Sequence, residues 1–107
     1  MNNTKLNRDN CFLSRDLDIC NDRGELVAVA TILIGKPVED NDSAWSCSYS
    51  ISGIAELNDS TYRVKGIDSI QALFGVFSVI EGTLSGTQIV QQGLLQWCGN
   101  NKAPFLR

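Results

Sequence analysis

Between Gly66 and Leu84 the chain reads GIDSIQALFGVFSVIEGTL, and this stretch decides what the rest can fold into. Asp68 is placed to cap a helix by accepting from free backbone N–H groups. Gln71, three residues later, completes an Asp-x-x-Gln form of the capping box. Ile70, Leu73, Phe74, Phe77, Ile80 and Leu84 follow at spacings of three and four, which predicts a helix from Asp68 to about Leu84 with these six on its buried face. Such a face needs a flat apolar surface to lie on, and the segments before it read as strands. The fold class expected is α+β: an antiparallel sheet of about four strands, one long amphipathic helix packed on one face, and a shorter C-terminal element.

The strands are read from alternation. In 11–20, Leu13, Arg15, Leu17 and Ile19 alternate with Ser14, Asp16 and Asp18, a period of two. Asn21-Asp22-Arg23-Gly24 then closes a hairpin, with Gly24 free to take a positive φ. The run 25–34, ELVAVATILI, is apolar on both faces and reads as a central strand, one face under the helix and the other at least partly covered. Gly35-Lys36-Pro37 ends it. Trp45, Cys47, Tyr49 and Ile51 alternate with Ser46, Ser48, Ser50 and Ser52, which predicts four large side chains inward and four serines outward on a half-solvated strand. A fourth strand, 61–65, pairs with it and hands the chain to the helix through Gly66. Gly82 and Gly86 interrupt the helical pattern. The stretch 87–97 is a short helix or an edge strand, and the spacing fits a helix slightly better. Phe105 and Leu106 are the residues able to pin the tail.

The length of 107 residues, 43% hydrophobic and 20% charged, suits one soluble domain over 1–107, with the polar segment 1–10 as a mobile arm. The polar start has no apolar signal-peptide core, and no later run is long enough to span a membrane, so a cytoplasmic protein is expected. Cys11, Cys20, Cys47 and Cys98 follow no C-x-x-C redox or zinc spacing and are expected to be reduced thiols. The chain contains no histidine. This removes the commonest general base, the commonest metal ligand and the Ser-His and Cys-His nucleophile pairs. No catalytic residue, metal or cofactor is expected, and no serine lies in a nucleophile elbow. Nine Lys plus Arg against twelve Asp plus Glu, a net charge of −3, argues against nucleic acid and permits a basic protein partner.

The candidate partner-binding residues are Glu39, Asp40 and Asp42, joined in space by Glu56 and Asp59, as an acidic patch able to steer association. The calcium alternative lacks the Asp-x-Asp-x-Asp-Gly loop. Asp68 and Gln71 read as a helix cap, Cys47 as a small core residue and Trp97 as core packing, with a contact anchor as the other role open to it. The glycines form no phosphate-binding motif.

The segments IGKP, WSCSYSI and GIDSIQAL together resemble an uncharacterised family of short bacterial domains with a strand-rich N-terminal half and a G-[IV]-D-S-[IM]-Q-A-L helix start. The likeness spans about 26–86. By size, acidity and lack of histidine, the chain also resembles immunity proteins of bacterial toxin systems such as contact-dependent growth inhibition. That likeness is one of type, and it implies a protein that binds and neutralises a cognate, basic toxin domain without chemistry of its own. The alternative is a small-molecule-binding domain with its ligand between the sheet and the C-terminal segment.

Overall fold

The computed structural model describes residues 5–106. The elements run β1 (Leu13–Cys20), β2 (Leu26–Ile34), β3 (Val38–Glu39), β4 (Trp45–Ser52), β5 (Tyr62–Gly66), α1 (Ser69–Ser85), α2 (Gln88–Gln91) and β6 (Leu95–Gln96). The fold is α+β with an antiparallel sheet, as expected. The sheet has six strands instead of about four. The two extra ones are only two residues long, below what alternation can reveal.

The order follows from the pairings. β1 pairs β2, and β2 pairs β4 through Thr31–Ile34 against Tyr49–Ser52. β5 pairs β4 through Tyr62–Gly66 against Trp45–Tyr49. Tyr49 is bonded to both β2 and β5, so these lie on opposite edges of β4, and β3, opposite Trp45 and Ser46, takes the β2 edge. β6 closes the far side on Asp18 and Ile19 of β1. At the β1–β2 turn, Asn21 Oδ1 accepts from the backbone N–H of Arg23 and Glu25, and Gly24 takes φ +79°.

α1 starts where the capping pattern places it. Asp68 Oδ1 accepts from the Gln71 N–H at 2.8 Å, and Gln71 Oε1 accepts from the Ile67 N–H at 2.8 Å. The buried face is a different stripe from the one predicted. Ala72, Val76, Ile80 and Leu84 are buried, while Ile70 and Phe74 are 63% and 60% exposed. Leu73 and Phe77 are half-buried, and only Ile80 and Leu84 of the six lie in the core. The helix carries a single charge, Glu81, so apolar spacing alone does not choose between its faces. Contact distance does. The chain turns from β5 into α1 so tightly that a Cβ on Gly66 would lie 2.5 Å from the Ala72 nitrogen, and one on Gly75 would meet Val64 at 2.9 Å. Small residues are needed there, and they turn Ala72 and Val76 to the sheet.

β2 is central, but Leu26–Val29 are exposed and only Ala30 and Ile32–Ile34 are buried, so the predicted cover reaches only its second half. The stretch 87–97 holds both alternatives, a single helical turn and then β6. The tail completes the core. Phe105 is fully buried, Glu81 accepts from the N–H groups of Phe105 and Leu106, and Arg15 donates to the Phe105 carbonyl at 2.7 Å. Arg15 also lies 3.8 Å over the half-buried Trp97 ring. Among the described residues no helix is long and apolar enough to cross a membrane.

Candidate functional site

The face of the sheet away from α1 carries the candidate site. Cys47 pairs with Val64 under the helix, so the next positions, Ser48 and Arg63, pair on the opposite face. That face is not the open serine ladder expected. Ser46 and Ser50 are buried and Ser48 and Ser52 half-buried; the Ser46 hydroxyl donates to Asp40, and Gly35 lies beside Ser48. Of the segment expected to be a mobile arm, residues 1–4 lie outside the described residues. Residues 5–10 form a turn in which Asn7 Oδ1 accepts from the N–H groups of Asp9 and Asn10. The Leu6 N–H donates to Thr61 Oγ1 at 3.3 Å, and the Leu6 side chain sits against Gly35. Arg8 donates to Asp16 at 2.6 Å and to Thr31 at 3.3 Å. Those hydrogen bonds, Arg8 first and then the Thr31 hydroxyl, hold the Asp16 carboxyl below the usual carboxylate range.

Between this turn, the Gly35–Pro37 connector and the loop before β5 runs a groove of about 700 Å³. Lys5, Lys36 and Arg63 line it with Leu6, Val38 and the Ser48 backbone strand, and Asp59 is its one carboxylate. Among the described residues none of these three cations is in an ion pair. In a chain of net charge −3, three cations against one anion make this groove locally positive. Its volume is in the range of small-ligand sites, roughly 300–1,000 Å³. Unneutralised charges of one sign lining a concave surface concentrate counter-ions there.

The predicted acidic residues are scattered in role. Asp40 and Asp42 do come together, around Lys65, whose ammonium lies 3.9 Å and 3.6 Å from their carboxylates. Asp40 also accepts from the Ser46 hydroxyl at 3.2 Å, and its other oxygen, Oδ2, is buried and accepts no hydrogen bond. Asp42 accepts from the Ala44 N–H, and that bond, with the Lys65 charge, holds its carboxyl below the usual range. Glu39 is exposed on β3, opposite Trp45. Glu56 is elsewhere. It lies beyond the far end of the eight-residue β4, roughly 25 Å along the strand, and caps α2 by accepting from the N–H groups of Gln88 at 2.9 Å and Ile89 at 3.4 Å. Asp59 lines the cationic groove. Among the described residues no group of three carboxylates or thiols is placed to hold a metal ion.

All four cysteines are free. Cys47 is buried under α1 with Sγ 3.2 Å from the Gly35 carbonyl, and burial pushes its thiol up to about 11. A thiol so protonated is a poor nucleophile.

Sequence reading did not find Lys5, Lys36 or Arg63 as a set. They come from the N-terminal turn, a strand connector and an edge strand, and only the β4–β5 register, which sets Arg63 beside Ser48, brings the last of them to the others.

A family model described as a domain of unknown function (DUF6968) matches residues 13–106. No curated protein and no solved structure matches the chain. The match takes in Lys36, Ser48, Asp59 and Arg63, while Lys5 and Leu6 precede it. It does not bear on the helix-start motif or on toxin immunity.

Proposed function

The chain belongs to the DUF6968 family, and from that premise we propose that it is a non-catalytic binding domain that takes an organic anion in the groove of Lys5, Lys36 and Arg63. The observation that carries this reading is the convergence of three cations, unpaired among the described residues, on one groove of about 700 Å³ in an acidic chain. Lining by Leu6 and Val38 beside the cations fits a small molecule that combines a phosphate or carboxylate with an apolar body. The ligand is bound and not transformed: the chain has no histidine, and its one buried thiol under the helix is held protonated. Four free cysteines favour work in the reducing cytoplasm.

The test is thermal unfolding in a panel of inorganic phosphate, citrate and adenosine monophosphate at low and at raised salt. The reading expects at least one of them to raise the midpoint of wild type and not of the double variant Lys36→Gln, Arg63→Gln. A panel without effect, or one that acts equally on the double variant, overturns it.

A second reading, an immunity protein that neutralises a basic bacterial toxin domain, is supported by the exposed corner of Glu39 and Asp42. Lys65 already offsets part of that charge. Co-expression with a candidate toxin domain decides it: survival that is lost in Glu39→Lys, Asp42→Lys supports the reading, and survival unchanged by both removes the acidic corner.

A further inference from the structure

Tyr49 is only 8% exposed, yet its hydroxyl makes no hydrogen bond among the described residues. A buried tyrosine ordinarily finds a partner for its O–H, and phenylalanine would pack the same ring without stranding a polar atom. The hydroxyl is not sealed in protein either, since among the described residues Asp40 Oδ2 is the one fully buried side-chain polar atom without a partner. It opens on a cavity of about 230 Å³ between β4, α1 and the loop before β5, lined by Tyr49, Ile51, Leu57, Asn58, Tyr62 and Thr83.

The other polar groups of this cavity are also left over from the fold. A threonine can return its hydroxyl to a carbonyl one helical turn back, and Thr87 does so to Leu84 at 2.7 Å. Thr83, on α1, makes no such bond among the described residues. Asn58 spends its Oδ1 on the N–H and hydroxyl of Ser60, which leaves its amide hydrogens to face the cavity. The loop that carries Leu57 and Asn58 is fixed from both sides. Glu56 ties it to the N–H of Gln88, and the Leu57 N–H donates to the carbonyl of the buried Ile54. The cavity is therefore preformed.

Its lining selects by chemistry. No charged residue is present, so an ionised group would lose its hydration without a counter-charge. A hydrocarbon would leave the Tyr49 hydroxyl unpaired, and a sugar would bring more hydroxyls than the cavity has partners. A flat ring that is apolar on its faces and polar at its edge meets both the Ile51, Leu57 and tyrosine walls and the hydroxyls. Size agrees, since a cavity of roughly 150 Å³ already holds benzene.

We infer that this cavity is a binding site for an uncharged heteroaromatic molecule of one or two rings, whose edge hydrogen-bonds the Tyr49 and Thr83 hydroxyls. Tyr49 is two positions along β4 from Cys47 and faces α1 with it, so the site lies on the opposite face of the sheet from the groove of Lys5, Lys36 and Arg63. Tyr62, on the edge strand, is the one residue that lines both. The inference does not depend on the anion-binding reading.

The test is titration of the whole chain with adenine, uracil and nicotinamide, followed by the methyl shifts of Ile51, Leu57 and Thr83. At least one of the three is expected to give saturable shifts at these methyls, with affinity unchanged in Lys36→Gln, Arg63→Gln. Tyr49→Phe should weaken that binding about tenfold, as expected for one lost hydrogen bond, while its thermal midpoint stays level or rises because no protein group loses a partner. That combination separates a ligand-binding hydroxyl from a structural one. No saturable shift with any of the three molecules, affinity unchanged in Tyr49→Phe, a lowered midpoint in Tyr49→Phe, or binding that is lost in Lys36→Gln, Arg63→Gln overturns the inference.

Discussion

The Glu81 carboxylate, on the last turns of α1, accepts from the backbone N–H of Phe105 at 3.0 Å and, with its other oxygen, from that of Leu106 at 2.7 Å. One side chain thus ties the tail over the sheet and seats the fully buried Phe105 ring. Replacing Glu81 by Ala leaves both N–H groups without their acceptor. The expected loss is about 1–3 kcal/mol, the cost of stranding partners of a charge-assisted bond. Urea unfolding measures it, and an unchanged midpoint would mean that packing alone holds the tail.

Two glycines of the same helical region should respond in opposite directions. Gly66→Ala places a Cβ 2.5 Å from the Ala72 backbone nitrogen, which cannot yield without moving the helix start. A loss of about 1–3 kcal/mol is expected, as for an overpacked core. Gly82→Ala meets nothing and should gain about 0.5–1 kcal/mol from helix propensity. Both are read from chemical unfolding.

Alkaline stability should trace to Cys47. Burial raises its thiol to about 11 in the folded state, against about 8.5 for an exposed thiol. Above that lower value the unfolded chain gives up a proton the folded chain keeps. Its contribution is therefore complete below about pH 8.5 and is lost as pH rises towards 11. Burial raises Tyr49 as well and acts in the same direction. Cys47→Ala should flatten the decline above about pH 8.5, measured as the unfolding midpoint against pH. In wild type, the exposed Cys98 should alkylate well before Cys47.

The N-terminal turn should release in acid. Arg8 and Thr31 hold the Asp16 carboxyl below its ordinary value, so the tether is fully present above about pH 4 and fails as pH falls through the lowered folded value. Amide shifts of Leu6 and Thr61, whose contact the tether supports, should move in that acid step. Arg8→Gln should show the moved positions at neutral pH.

The strand-rich half, its hairpins and the start of α1 were legible because each rests on local chemistry: alternation from Trp45 to Ser52, the turn Asn21–Gly24, and the Asp68 cap. What was not legible depends on partners distant in sequence. Ile70 and Phe74 have the spacing of a core stripe, and only the close approach at Gly66 and Gly75 turns Ala72 and Val76 inward in their place. Ser46 and Ser48 look solvent-facing until Asp40 is laid over the first and Leu6 with the connector at Gly35 beside the second. Glu56 reads as a free surface carboxylate, yet the N–H groups it satisfies are 32 and 33 residues away. The groove of Lys5, Lys36 and Arg63 is of the same kind, made by register and not by motif.

The binding claim is tested most directly by amide chemical shifts of the wild-type protein titrated with inorganic phosphate, citrate and adenosine monophosphate. The expected result is a saturable set of shifts confined to the groove, at Leu6, Lys36, Ser48, Thr61 and Arg63, that is absent in Lys36→Gln, Arg63→Gln. Shifts scattered over unrelated cations such as Arg23 and Lys102, or no saturable shift with any of the three anions, would contradict it.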